Sequence, residues 1–178
     1  LLFENSIDEC LDLLYEMGES KENVVVAKYF EGQEGSRERA TLQPDRYFQI
    51  NGTACTRSSH IPDDWWIFNV AFVHADFFNS LGGWDCRYEA TAMSHTDFAI
   101  RAQFVGANVQ MAPLPLFACD HMPGGTGDHM PIFICQPQHD EPLLQRTYRD
   151  PNWTLNVDPR LRMENWKKSP AVWERRFK

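Results

Sequence analysis

His95 and Asp97 are the residues of this sequence best suited to acid–base chemistry, and they lie at the start of a helix predicted over residues 96–105. The first backbone N–H groups of a helix are unpaired and its dipole is positive there, so a side chain that faces a cleft at this point can deprotonate a hydroxyl group. His95 also suits metal binding. A structural interpretation competes, because Ser94 and Asp97 fit a capping box and Asp97 and Arg101 fit an i,i+4 ion pair. The residue types alone favour neither interpretation.

A second candidate site lies between residues 120 and 129, where histidines, aspartates and glycines concentrate. Imidazole and carboxylate side chains suit a divalent cation such as Mn²⁺ or Mg²⁺, and glycines allow a loop to fold around a ligand. The candidate metal ligands are His121, Asp128 and His129. A hydrogen-bonded surface loop without metal is the alternative, since the spacing matches no closed zinc motif.

Trp65 and Trp66 follow two aspartates and are candidates for the edge of a sugar site. An aromatic face can stack on the C–H groups of a sugar while nearby carboxylates bind its hydroxyls. The alternative, which the pattern favours, is that one Trp is buried and the other lies at the rim of the core.

The C-terminal tail combines aromatic and basic residues. Its pattern suits a basic amphipathic helix that binds a membrane or a partner, or a segment that packs its aromatics on the domain and leaves its charges in water. The residues concerned are Trp166, Lys167, Lys168, Trp173, Arg175, Arg176, Phe177 and Lys178.

Helices and short strands must position these candidate residues. An S-x-x-E capping box at Ser6 predicts the first helix, and dense prolines and glycines predict a long loop over residues 113–137. The alternation predicts an α/β fold with a parallel or mixed sheet. The other predicted elements are a strand over residues 24–27, a strand over 68–73, helices over 76–81 and 96–105, an extended segment over 109–112 and a helix over 141–149.

Length and composition limit the class of protein. The chain has 178 residues, 43% of them hydrophobic, which predicts one domain over residues 1–178. A net charge of −8 disfavours nucleic acid as a general partner. Five cysteines without a C-x-x-C pair argue against a disulfide framework and predict a cytoplasmic protein. No apolar run is long enough to span a membrane, and the acidic start predicts no signal peptide.

Two motifs resemble a known family. Gly82-Gly83-Trp84-Asp85 is similar to the "GG-F/W-D" turn, and residues 94–101 are similar to the "E-D-x-D-L-x-x-R" helix start, of inverting glycosyltransferases with the GT-A fold, family 2 type. The resemblance covers residues 7–112 and implies a partial GT-A fold, a mixed sheet flanked by helices. Residues 1–112 would form its acceptor-side part, and residues 113–178 a loop-rich His/Gly segment followed by the tail.

The resemblance implies transfer of a sugar, of the hexosyltransferase type, from a nucleotide-diphospho-sugar donor to a glycan or other hydroxyl acceptor. Asp97 or His95 would be the base, although His95 stands where the family has an Asp. Gly82 to Asp85 would line the donor sugar, and His121 or His129 would assist a divalent cation.

In that family a nucleotide-binding half with a D-x-D motif precedes the matched segment. The resemblance therefore implies that this chain needs such an N-terminal half, or a second copy, and that it has weak or no transferase activity alone. Two other functions stay open: a non-enzymatic carbohydrate-binding or assembly module of the same fold, and a metal-dependent hydrolase. The hydrolase would use His95, Asp97, His121, Asp128 and His129.

Overall fold

The structure is a computed structural model. It describes residues 2–32, 41–42, 65–68, 70–85, 87–89, 91–120 and 134–148. These residues form helices on both faces of a small mixed sheet, which confirms the predicted α/β class with a mixed sheet flanked by helices.

The strand β1, Asn23–Gly32, is the centre of the sheet. Along one edge it pairs in parallel with β4, Asn108–Asp120. Along the other edge it pairs antiparallel with β3, Ala71–Val73, and further on with the short β2, Thr41–Leu42. Because a strand has two edges, β2 and β3 share one of them, and the sheet is three strands wide.

The alternation of β1 side chains separates two apolar layers. Val24 and Val26 face one layer, while Val25 and Ala27 face the other, and all four are buried. The helix α1, Ser6–Glu16, covers the Val25 face through Cys10 and packs on β1 and β4. A β-branched run that is buried on both faces explains why this strand was predictable from sequence.

The opposite face of the sheet carries α2, Ala75–Ser80, and α3, Thr91–Phe104. Their apolar side chains pack on Val24, Val26 and Tyr29. A π-helical turn, Gln136–Asp140, leads into α4, Glu141–Tyr148, which packs on α3. Among the described residues, no helix has the length and apolar character needed to cross a membrane.

The predicted helix starts are wrong at two places. The N-cap of α1 is Asn5, in the left-handed region at φ 58°, whereas Ser6 lies inside the helix. The Ser6 hydroxyl does not cap the helix but donates toward the carbonyl oxygens of Phe3 (2.7 Å) and Leu116 (2.9 Å). The helix α3 begins at Thr91 rather than at residue 96, so His95 and Asp97 lie in its second turn. Neither side chain is therefore at the positive end of the helix dipole.

The loop predicted from residue 113 onward is also wrong over residues 113–120, which belong to β4. Pro113 and Pro115 are accommodated because the β1–β4 register shifts between Val26 and Lys28, and again before Tyr29. A bulge tolerates a residue that donates no ladder hydrogen bond. Of the rest of the predicted loop, residues 121–133 lie outside the described residues, and residues 134–137 are helical, so the prediction is wrong there too.

Candidate functional site

A two-glycine turn connects α2 to the segment that precedes α3. Gly82 and Gly83 have φ values of 86° and 68°, which side-chain-bearing residues rarely adopt. The guanidinium group of Arg101 holds this turn by donating to the carbonyl oxygens of Leu81 and Gly83, at 2.5 and 2.8 Å. The turn is thus fixed to α3, and it determines where Trp84 lies.

Asp97 lies in a buried network with one partner on each side. Arg101 donates from Nε to Oδ2 of Asp97 at 2.9 Å, and its Nη2 lies 2.8 Å from the same oxygen in an ion pair. The hydroxyl of Tyr148, from α4, donates to Oδ1 at 2.6 Å. Asp97 is only 2% exposed. The network therefore joins α3, α4 and the glycine turn.

The ionisation of the network follows from its burial. Burial raises the pKa of Asp97, and the charge of Arg101 and the hydrogen bond from Tyr148 oppose that rise. Burial by itself would lower the pKa of Arg101, but the carboxylate of Asp97 reverses the effect and the pKa is raised. Burial and the same carboxylate raise the pKa of Tyr148 well above its ordinary value, so its hydroxyl stays a donor.

Asp97 is consequently a structural residue in this conformation. Both of its carboxylate oxygens accept hydrogen bonds from protein groups, and little of the side chain reaches solvent. To serve as a base toward an acceptor hydroxyl, it would have to leave Arg101 or Tyr148. The role of Asp97 as a base stays a prediction.

Asp85, like Asp97, is a buried carboxylate that is paired with an arginine. It is buried, and its carboxylate accepts from the backbone N–H of Arg87 at 2.8 Å and from the Arg87 guanidinium group. The hydrogen bond from the Arg87 guanidinium group to Asp85 is the main reason why the pKa of Arg87 is raised. The negative charge of Asp85 also contributes to the raised pKa of Asp97. Asp85 was predicted to line a donor sugar, and its observed partner is Arg87.

His95 is on the opposite side of α3 from Asp97. Two residues along a helix correspond to about 200° of rotation. The ring of His95 lies 4.9 Å from that of Trp84, between centroids, with the planes tilted by 49°. Burial lowers the pKa of His95. Its imidazole is therefore neutral at neutral pH, which is the form that accepts a proton.

Trp84 also borders an open groove of about 380 Å³ beside β3 and α2. The indole packs against Phe78 and Phe98, with ring centroids 5.6 and 5.0 Å away, and remains 43% exposed. The groove is mainly apolar and is lined by Phe68, Val70, Ala71, Val73, Ala75, Phe78, Trp84 and Phe98. A partly exposed indole on such a surface suits a ligand with an apolar face.

The other two tryptophans proposed for a sugar site do not line this groove. Trp65 is partly buried in the cluster around Leu144 and meets Phe104 edge-on, at 6.4 Å between centroids. Trp66 packs on the sheet-side core, and its backbone N–H and carbonyl are both bonded to the side-chain amide of Gln103 at 2.7 Å. Contact of Trp65 and Trp66 with a sugar therefore stays a prediction.

The predicted metal ligands His121, Asp128 and His129 lie outside the described residues. Within the described parts of the chain, no group of three or more His, Cys, Asp or Glu side chains could hold a metal ion. The prediction of a divalent cation site in that segment therefore stays a prediction.

Sequence reasoning missed Tyr148 and a second buried acid, Asp140. The fully buried carboxylate of Asp140 accepts from the backbone N–H of Glu89 at 3.0 Å and lies 2.7 Å from Nδ1 of His139. It thereby fastens residues 87–89 to the start of α4. Asp97 and Tyr148 are 51 residues apart in the chain, and so are Asp140 and Glu89. Helical periodicity does not reveal a contact over such a separation.

No family model, no curated protein and no solved structure matches the chain.

Proposed function

We propose that this chain is the acceptor-side part of a GT-A type enzyme that transfers a sugar from a nucleotide-diphospho-sugar to a hydroxyl acceptor. The observation that carries the proposal is the contact between Trp84 and His95 beside an open apolar groove. An exposed indole offers a flat face to the C–H groups of a sugar, and a neighbouring neutral imidazole can accept a hydroxyl proton. Both residues belong to the motifs that resemble inverting glycosyltransferases.

His95 is the better candidate for the base. It is partly buried, its lowered pKa keeps it neutral, and it contacts the groove residue Trp84, whereas Asp97 is held by Arg101 and Tyr148. In the proposed step, the imidazole takes the acceptor proton while the acceptor oxygen forms a bond to the anomeric carbon. The bond from that carbon to the diphosphate breaks, and the nucleoside diphosphate leaves with the electron pair.

The remaining predicted site residues enter the proposal in different ways. Gly82 and Gly83 support it by allowing the close backbone turn that leads to Trp84. The proposal includes contact between the donor sugar and the turn from Gly82 to Asp85. In that contact Asp85 keeps its ion pair with Arg87. Contact of Trp65 and Trp66 with a sugar stays a separate prediction, because neither residue lines this groove. A divalent cation would be held by His121, Asp128 and His129, and no step is assigned to it.

The proposal also covers the partners of the chain and its compartment. The donor is a nucleotide-sugar, the acceptor a glycan or another hydroxyl compound, and a nucleotide-binding half or a second copy completes the site. A cytoplasmic location is proposed because Cys10 and Cys135 are free thiols.

Two measurements on the purified chain test the proposal. Saturation-transfer NMR with a panel of hexosides measures sugar binding independently of turnover, and mass spectrometry detects transfer from UDP-, GDP- and dTDP-sugars with Mn²⁺. We expect Trp84→Ala to abolish sugar binding. The chain alone should transfer weakly or not at all, and any transfer that it shows should fall to background in His95→Gln while binding persists, because a general base contributes about 10²–10⁴-fold to rate.

Tyr15→Ala is the matched control. Tyr15 is an exposed aromatic on α1, which covers the other face of the sheet. Its removal should change neither sugar binding nor sugar transfer. If the wild-type chain binds no sugar, or if Trp84→Ala binds as well as wild type, the proposal fails.

A carbohydrate-binding or assembly module is the second candidate. The observation that favours it is the confinement of Asp97, the one acid of the matched motif, in a structural ion pair. Sugar binding that depends on Trp84, without Mn²⁺-dependent binding of UDP or GDP, would support this function. The hydrolase alternative gains no support from the described residues, because Asp97 is not available to share a metal with His95.

A further inference from the structure

The outer side of α1 carries an exposed apolar stripe. Ile7, Leu11 and Tyr15 follow one another at i,i+4 spacing and are 41, 38 and 80% exposed. Residues with this spacing lie on one side of a helix, so the three side chains form a continuous strip. The residues that attach α1 to the sheet are others, chiefly Cys10 together with the partly buried Leu13 and Leu14. The stripe is therefore not needed to hold the helix on the domain.

The surroundings of this stripe are strongly acidic. Asp8 and Asp12 each follow a stripe residue directly, so they border it on the solvent side of the helix. Residues 3–20 include no lysine or arginine. The acidic residues of this stretch are Glu4, Asp8, Glu9, Asp12, Glu16 and Glu19. An apolar strip with an acidic border suits a partner that presents aromatic or aliphatic side chains among cations.

We propose that the C-terminal tail of this same chain, residues 160–178, is that partner and docks on the Ile7–Leu11–Tyr15 stripe. The tail has the complementary composition, because its aromatic residues Trp166, Trp173 and Phe177 stand beside basic residues. The basic residues of this segment are Arg160, Arg162, Lys167, Lys168, Arg175, Arg176 and Lys178. It carries a large share of the positive charge of a chain whose net charge is −8.

The covalent distance allows this contact within one chain. The last described residue is Tyr148, at the end of α4. The connection from residue 149 to Trp166 spans at most about 60 Å when extended. A domain of this size has a diameter of about 40 Å. An intramolecular partner is also present at a high effective concentration, so weak contacts suffice to hold it.

Photo-crosslinking of the full chain tests the proposal. Replacing Tyr15 by p-benzoylphenylalanine keeps an aromatic ring at a highly exposed position, so folding should not change. A mixture of unlabelled and ¹⁵N-labelled protein separates crosslinks within a chain from those between chains by mass. We expect the main crosslink to join position 15 to residues 160–178 of the same chain. Placing the same photo-reactive group at position 104, where Phe104 is an exposed aromatic of α3, should give little of this product.

Charge variants of the tail identify the attraction. Reversal by Lys167→Glu, Lys168→Glu, Arg175→Glu and Arg176→Glu should lower the crosslink yield about tenfold, because opposite charges become like charges. The matched control exchanges Lys and Arg at these positions and should keep the yield. About 1 M salt should lower the wild-type yield, since it limits charge interactions to about 3 Å. Crosslinks mainly between chains, crosslinks to another segment, or a yield indifferent to charge reversal would overturn the proposal.

Discussion

His95 and Asp97 stand two positions apart on α3, yet their surroundings differ completely. Asp97 is enclosed with Arg101 and Tyr148 in a network that joins three parts of the chain. His95 lies on the other side of the helix, against an indole that borders an open groove. The comparison teaches that nearby positions of one helix can differ in access, because the acidic residue lies in a buried network and the imidazole lies against a partly exposed indole.

Removal of the cation from the buried network should have the largest effect. Arg101→Met leaves the carboxylate of Asp97 buried without its ion pair and frees the carbonyl groups of Leu81 and Gly83. Breaking a buried pair at one partner costs about 3–5 kcal/mol of the free energy of unfolding. Urea denaturation followed by circular dichroism measures the loss. Arg101→Lys, which keeps the charge but not the forked geometry, should lose less. A loss no greater for Met than for Lys would contradict the structural role of the ion pair.

Tyr148→Phe should have the next largest effect. The substitution keeps the ring in the core and removes only the hydroxyl that donates to Oδ1 of Asp97. A hydrogen bond to a charged group contributes about 1.5–3 kcal/mol to the free energy of unfolding. Tyr15→Phe, at an exposed position, is the control and should leave the denaturation midpoint unchanged. Equal midpoints for both variants would mean that α4 is not held to α3 by this bond.

His95 should produce a smaller effect that depends on pH. Since the pKa of His95 is lowered in the folded protein, the unfolded chain binds the proton first as the pH falls below about 6.5. Stability should therefore decline as the pH falls from that value through the lowered pKa, and His95→Gln should decline less. Thermal unfolding at pH 8 and pH 5.5 measures the difference. An equal decline in both proteins would place the imidazole outside the partly buried contact with Trp84.

Loss of the exposed ion pair between Lys21 and Asp76 should have the smallest effect on stability. Its atoms are 2.6 Å apart, but both side chains are mostly in water. Lys21→Ala should leave the denaturation midpoint unchanged, because solvent screens such pairs. The hydrogen bond and the charge of Lys21 lower the pKa of Asp76, so NMR titration should find that pKa higher in the variant. A clear loss of stability would show that exposure does not separate the two kinds of ion pair.

The sequence predicted those parts of the fold that local composition determines. Val24 to Ala27 form a buried strand because β-branched residues favour strands. The helices α1 and α4 follow the apolar spacing of their residues. The start of α3 was not predicted, since the residue before Thr91 in the sequence is Ala90, which is not a typical N-cap residue. The continuation of β4 beyond residue 112 was missed because Pro113 and Pro115 normally end a strand, and the bulged pairing with β1 accommodates them.

The candidate site was predictable only in part. The i,i+4 pair of Asp97 and Arg101 follows from the spacing on one helix, and the structure contains it. The partner Tyr148 and the carbonyl groups that Arg101 binds come from other elements, and tertiary packing brings them together. Whether His95 or Asp97 was accessible also depended on the true start of α3. Contacts between distant residues, rather than residue types, therefore distinguish the two sides of the helix.

The glycine turn has a consequence for how the protein opens in its native state. Surface turns usually exchange their amide hydrogens through small local openings. This turn is bonded to Arg101, whose carboxylate partner is bonded in turn to α4. Releasing its backbone therefore requires the ionic network to part as well. The amides of residues 81–83 should then exchange at rates close to those of α3 and α4, so that the loop opens as one cooperative unit with the two helices.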